Sequence, residues 1–152
     1  MKLTPRRSYE AKFCSFLRFD NDASLLMRWL TDNRLVRNFN SYLTDSPSEG
    51  FILKQLYHSL QKDPDHSLAH YHLCAYLQES CYWVAYRFAN SHNLGNLSFT
   101  DGFLKVFKIA EAETLNSEKL LHRLHQYDPQ RSQFKTYAQT WLKSAIADTI
   151  YS

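Results

Sequence analysis

Apolar positions recur along this chain at alternating three- and four-residue steps, the spacing of amphipathic helices. The longest stripe (Cys74, Leu77, Cys81, Val84 and Phe88) predicts a helix from about Asp65 to Ala89. Before it, Ser8-Tyr9-Glu10 opens a segment with Phe13, Phe16 and Leu17 on one face. Asp22 would cap a second helix through Leu25, Leu26, Trp29 and Leu30, and Leu35, Phe39 and Leu43 mark a third. Ser46-Pro47-Ser48-Glu49 is the clearest start signal: Ser46 as N-cap, Pro47 in the first turn and Glu49 at the capping-box position. That helix should run to about Lys62 and stop before Pro64. Asn90 to Asn96, with Gly95, reads as a loop, and Ser98 starts a helix whose face is Phe99, Phe103, Val106 or Phe107, and Ala110. A short helix from Ser117 carries Leu120, Leu121 and Leu124. Tyr127-Asp128-Pro129 forces a turn, and a last helix runs from about Ser132 to Ile150.

Composition narrows the class. With 152 residues the chain suits one domain with a sizeable core. Its three Gly (Gly50, Gly95 and Gly102) are not clustered, which excludes a dinucleotide fingerprint or a phosphate-binding P-loop, and they are too few for an all-β fold rich in tight turns. The expected fold is all-α, a compact multi-helix domain. No apolar run approaches the length of a membrane span, and no apolar core follows the basic N-terminus to make a signal peptide. Cys14, Cys74 and Cys81 lack a metal-binding spacing and read as buried free thiols of a cytoplasmic protein. Bases outnumber acids up to Asn40, acids outnumber bases from Ser41 to Thr100, and the last bases sit among aromatics. The net charge of +3 permits a nucleic-acid partner without requiring one.

Catalytic chemistry finds no local setting. Ser, His and Asp occur without a nucleophile elbow, and the carboxylates are scattered, so no catalytic residue is assigned and the chain reads as non-enzymatic. His66, His70 and His72 tempt as a metal site, but His72 points away from the face that His66 and His70 share, and no third ligand converges. His122 and His125 lack partners in the same way. No metal or cofactor is expected. The informative stretch runs from Tyr127 to Ile150. Phe134, Ala138, Trp141 or Leu142, Ala145 and Thr149 would face the core, with Tyr137 on a flank beside Thr140 and Trp141. Lys135 and Lys143 lie close to that flank, and Arg131 precedes the helix. Rings interleaved with cations suit a single-stranded nucleic-acid surface, and the same spacing also suits a core helix.

The run Tyr127-Asp128-Pro129-x-Arg131, followed by Phe134-x-Thr136-Tyr137-Ala138-x-x-Trp141-Leu142-Lys143-x-Ala145-Ile146, closely resembles the promoter-melting helix of bacterial sigma factors of the sigma-70 family. That family reads Y-D-P-x-R-G-x-x-F-S-T-Y-A-x-W-W-I-R-Q-A-I. The motif covers about a sixth of the chain. The preceding helices resemble, more weakly, the rest of the family's second conserved domain, and those from Phe13 to Leu43 resemble the divergent N-terminal part of cyanobacterial sigma-like proteins. The resemblance implies one helical domain over 1–152: divergent helices over 1–45, a helical pair over 46–96, and polymerase-docking and promoter-melting helices over 97–152. It implies docking on the clamp helices of the largest subunit of core RNA polymerase, and recognition and melting of the promoter −10 element. On this reading Arg131, Lys135, Tyr137, Thr140, Trp141, Lys143 and Ser144 face DNA, and Asp101, Phe103, Leu104 and Lys105 face the polymerase. Tyr137 matches the tyrosine that stacks where the first melted adenine has flipped out. An anti-sigma factor or other regulator is a further partner that the resemblance admits.

The chain departs from the family at defined positions. Thr140 replaces the first tryptophan of a pair, and Ser144 replaces a glutamine that reads the base pair just upstream. Ser lacks the bidentate amide, so direct readout there should be weak or different. A nearby threonine is Ala147 here. Where the docking helix of the family reads D-L-x-Q-E-G, this chain has Asp101-Gly102-Phe103-Leu104-Lys105-Val106, followed by an insertion-like stretch from Ala110 to Glu118. The last helix ends without a glycine cap, which points to a piece of a longer sigma factor. The alternative reading is a sigma-like helical module that binds polymerase or a regulator without reading DNA.

Overall fold

In the computed structural model, which describes residues 3–21, 24–42, 48–65, 67–92 and 94–151, the chain forms eight helices and one two-stranded hairpin among the described residues. The order is α1 (Tyr9–Cys14), β1 (Ser15–Asn21), β2 (Ser24–Thr31), α2 (Asn33–Tyr42), α3 (Glu49–Lys62), α4 (Ala69–Tyr76), α5 (Gln78–Ser91), α6 (Phe99–Leu115), α7 (Ser117–Gln126) and α8 (Phe134–Tyr151). The helical class expected from the sequence describes the architecture, with the hairpin as an exception. Asp22, Leu43, Ser46, Pro47 and His66 lie outside the described residues.

The hairpin corrects the expectation of two N-terminal helices. Helix α1 starts as anticipated, with the Ser8 hydroxyl accepting from the Ala11 N–H at 3.0 Å. It ends at Cys14 because Arg6, buried beneath it, takes up carbonyls that a continuing helix would need. Its guanidinium donates to the carbonyls of Lys12 and Ser15, each at 2.9 Å, and to that of Ala11 at 3.3 Å. From Ser15 the chain runs extended, and Leu17, Phe19, Met27 and Trp29 alternate inward while Arg18, Leu26, Arg28 and Leu30 alternate outward. The antiparallel register places Leu17 opposite Trp29 and Phe19 opposite Met27. Arg18 and Arg28 also stand opposite one another, and each finds an acid: Glu111 at 3.2 Å and Asp20 at 2.6 Å. Phe19 seats the hairpin edge-on against Phe103 and Phe107 of α6, with centroids 5.6 and 5.3 Å away.

The helix expected from Asp65 to Ala89 is two helices, α4 starting at Ala69 and α5 following after a turn at Leu77. Beside that turn the amide of buried Gln78 reaches two partners distant in sequence, besides Cys74 Sγ one turn earlier. Its Oε1 accepts from the Leu17 N–H at 3.0 Å, and its Nε2 donates to Glu111 at 2.8 Å. The stripe Cys74, Leu77, Cys81, Val84 and Phe88 is buried as anticipated. Helix α4 is buried nearly all round, touching α1, α3 and α6, so it forms the centre of the molecule. Helix α5 packs on α6 and α8, and one apolar cluster runs from Phe13 to Ile146 through every helix.

Local signals account for the remaining ends. Ser48, rather than Ser46, caps α3 by accepting from the Phe51 N–H at 3.2 Å. Ser98 caps α6 by accepting from the Asp101 N–H at 3.1 Å. The stretch from Ala110 to Glu118 is mostly helical: α6 continues to Leu115, and Asn116 closes it and caps α7 through the Lys119 N–H at 3.0 Å. Gly95 takes a φ of +75° in the loop before α6, a conformation that side-chain-bearing residues rarely adopt. All three cysteines are free and buried. Burial pushes the Cys14 and Cys74 thiols up to about 12 and raises that of Cys81.

His72 is the polar member of this core. Its Nδ1 lies 2.8 Å from the Phe13 carbonyl and its Nε2 2.9 Å from the Asn38 amide nitrogen, which fixes a neutral ring protonated at Nδ1. Burial pushes its pKa below the ordinary imidazole value. The neutral ring is therefore favoured more in the folded state than in the unfolded chain. Its contribution is complete above about pH 6.5 and is lost as pH falls through the lower folded value. The urea midpoint should accordingly drop between about pH 7 and pH 5, and His72→Gln should flatten part of that drop. An unchanged slope in the variant would assign the effect to other groups.

Candidate nucleic-acid interface

The motif from Tyr127 onwards begins with a turn that its own residues build. The Asp128 carboxylate accepts from the Gln130 N–H at 2.9 Å, and the Asp128 carbonyl accepts from the Arg131 N–H at 3.1 Å across Pro129. The Tyr127 hydroxyl donates to the Ser132 carbonyl at 2.9 Å and closes the loop. Helix α8 then runs without interruption from Phe134 and lies against both α5 and α6. With two neighbours it buries a broad face: Phe134, Ala138, Trp141, Leu142 and Ile146. Both Trp141 and Leu142 are therefore core. Ala145 is half-buried and Thr149 exposed, so Ile146 completes the stripe that the sequence extended to those two positions.

This packing sorts the residues expected to face DNA. Trp141 is only 4% exposed, held between Phe134 and Tyr137 at centroid distances of 6.0 and 5.5 Å. Its position in the fold is that of a core residue, which corrects its placement on a face open to DNA. Tyr137 is half-buried, its ring 5.3 Å from that of Tyr127, and its hydroxyl donates to the Arg123 carbonyl at 2.9 Å. Lys135 forms an ion pair with Glu79 at 3.1 Å, and Glu79 also binds Arg6 at 3.2 Å. Burial alone would raise the Glu79 carboxyl, but Lys135 and Arg6 outweigh it and hold the group below the usual carboxylate range. Lys135 is thus half-buried and engaged by an acid of α5. Arg131, Thr140, Lys143 and Ser144 are exposed.

Two grooves take three of these four residues, and Arg131 lines neither. Thr140 and Lys143 line a groove of about 590 Å³ between α5 and α8, whose other wall is Val84, Arg87, Phe88 and His92. His92 lies flat on Phe88 at 3.8 Å, and Arg87 donates to the Gln139 side-chain oxygen. The cleft has an apolar floor, hydroxyls from Thr136 and Thr140, and cations on opposite rims, which suits a planar ring with an attached phosphate. Ser144 lies on the other side of α8. It opens into a groove of about 1130 Å³ shared with α3 and α7, where Tyr57, His122, Arg123 and His125 gather. The two grooves are reached from different flanks of one helix. Arg87 and His92 belong to no sequence motif, because only the crossing of α5 and α8 brings them beside Thr140 and Lys143. The one signal in the sequence is Arg87 on the polar side of a helix whose apolar stripe includes Val84 and Phe88.

The residues expected to face the polymerase divide similarly. Phe103 is fully buried against Phe19, Tyr82 and Phe107, which corrects its assignment to a docking surface. Leu104 is half-buried, and Asp101 and Lys105 are exposed and continue with Lys108 as a polar stripe along α6. Among the described residues no three His, Cys, Asp or Glu side chains converge as metal ligands. No helix among them is long and apolar enough to cross a membrane. Comparison of the chain with models of known families, with curated proteins and with solved structures finds no match.

The partition gives a direct expectation for stability. Trp141→Ala should cost about 3–5 kcal/mol, as for other buried aromatic truncations. Thr140→Ala and Lys143→Ala should stay within about 0.5 kcal/mol of the parent. Urea unfolding of the three variants measures the difference, and a mild Trp141→Ala would contradict its place in the core.

Proposed function

We propose that this chain is a sigma-type module of transcription initiation, which docks on core RNA polymerase and holds the melted strand of a promoter −10 element. The observation that carries the reading is the α5–α8 groove. It sets Thr140 and Lys143, two positions of the promoter-melting motif, opposite Arg87 and His92. Unstacking a base costs a few kcal/mol, which stacking in a cleft and phosphate contacts with flanking cations can offset. In this chain Trp141 supports the helix from beneath, and the contacts that the groove offers DNA are those of Thr140, Lys143 and Arg87. Docking on the polymerase clamp helices would use the polar stripe Asp101, Lys105 and Lys108.

The second reading, a module that binds polymerase or a regulator without reading DNA, is favoured by one observation: Lys135 and Trp141 are engaged within the fold. Salt dependence separates the two.

The test begins with co-elution of the chain with sigma-free core polymerase. Asp101→Ala and Lys105→Ala should each weaken it. A folded chain that does not co-elute would end the polymerase proposal. For DNA, binding of a −10-like single strand should weaken in Lys143→Ala and Arg87→Ala, and the salt slope should fall by roughly 0.7 for each phosphate that is no longer neutralised. Binding to polymerase without any salt-dependent affinity for the strand would favour the second reading.

A further inference from the structure

The rings that the sequence offers for base stacking are mostly enclosed, yet the chain does expose large aromatics elsewhere. Trp83 is 43% and Phe99 37% exposed, and half-buried Tyr86 lies between them. Tyr86 meets Trp83 at 6.1 Å and 73°, and Phe99 at 5.6 Å and 79°. Beneath them, buried Tyr82 stands edge-on to Trp83 at 4.9 Å. Each ring is braced by the edge of another, so little side-chain freedom remains to be lost when a ligand stacks on them.

Helix geometry connects this patch to the groove already described. Trp83 and Arg87 are one turn apart on the outer ridge of α5, and both are exposed. On one side of the ridge lie Tyr86 and Phe99, at the start of α6. On the other side Arg87 reaches Gln139 of α8 and lines the cleft with Lys143. A chain of phosphates held by Lys143 and Arg87 is thereby led onto Trp83. The acid one turn before Trp83, Glu79, is neutralised by Arg6 and Lys135. Asp101 follows Phe99 by two residues and so lies on a different side of α6.

We infer that Trp83, Tyr86 and Phe99 form a stacking platform for unpaired bases, continuous with the α5–α8 groove, and that the ligand is a single-stranded nucleic acid. This rests on the nucleic-acid reading above and extends it to residues outside the promoter-melting motif. Exposed rings beside two cations fit a strand of bases and phosphates, the rings taking the bases and Arg87 and Lys143 the charge.

The experiment is a titration of the intact chain with a −10-like oligodeoxynucleotide, single-stranded and as its duplex, at fixed salt. Trp83→Ala should weaken single-strand binding by roughly 5- to 150-fold, and Trp83→Phe should retain most of it. Bound oligomer should shield Trp83 from iodide quenching, a readout to which buried Trp141 contributes little, and the same quenching in Trp83→Phe gives the share of half-buried Trp29. Single-strand binding that weakens in Lys143→Ala but is unchanged in Trp83→Ala, with no shielding, overturns the platform and leaves the groove reading intact. No binding of the single strand by the unmodified chain overturns both. Loss of polymerase co-elution in Trp83→Ala, with strand binding unchanged, makes the patch a protein contact and overturns the proposal.

Discussion

One carboxylate holds together parts of the chain that share no local structure. Glu79, on the first turn of α5, receives Arg6 from the N-terminal segment and Lys135 from α8. Arg6 is a hub in its own right. It is 6% exposed, donates to carbonyls at the end of α1 and lies 4.0 Å from the centre of the Trp29 ring. Breaking such a buried pair from one side typically costs about 3–5 kcal/mol, because the remaining charge is left without compensation. A lysine at position 6 would bring a single ammonium where a planar fork now serves several acceptors.

This arrangement links fold and site. The same side chain that ends α1 and starts the hairpin also anchors Glu79, which in turn engages Lys135 of α8. Of the α8 residues expected to face DNA, Thr140 and Lys143 remain outward on one flank and Ser144 on the other. The groove that results owes half its lining to α5. Its chemistry is therefore a property of a helix crossing rather than of a motif.

Legibility from sequence followed the range of the forces involved. Helices α3, α6, α7 and α8 carry their own start signals in Ser48, Ser98, Asn116 and the Asp128-Pro129 turn, and they lie close to where the periodicity puts them. The hairpin was not legible. Phe13, Phe16 and Leu17 fit a helical face as well as a short strand, and the group that decides, Arg6, acts through contacts that hydrophobic spacing does not encode. The break at Leu77 was not legible for a related reason, since Gln78 beside it bonds to Leu17 and Glu111, which are distant in sequence. In the site, the exposure of Lys143 and Thr140 could be anticipated from the helical wheel. The capture of Lys135 by an acid 56 positions earlier could not.

The three cysteines have a consequence beyond packing. Each thiol is enclosed, and burial keeps it protonated well above neutral pH, so alkylating reagents meet no thiolate in the native chain. They sit where α1, α4 and α5 meet the core, so reagents reach them when those elements open. The rate at which they become reactive is therefore a clock for opening around these three helices, built into the unmodified chain. Against that silent background, a single cysteine introduced on the outer ridge of α5 would be the one thiol available for labelling or cross-linking.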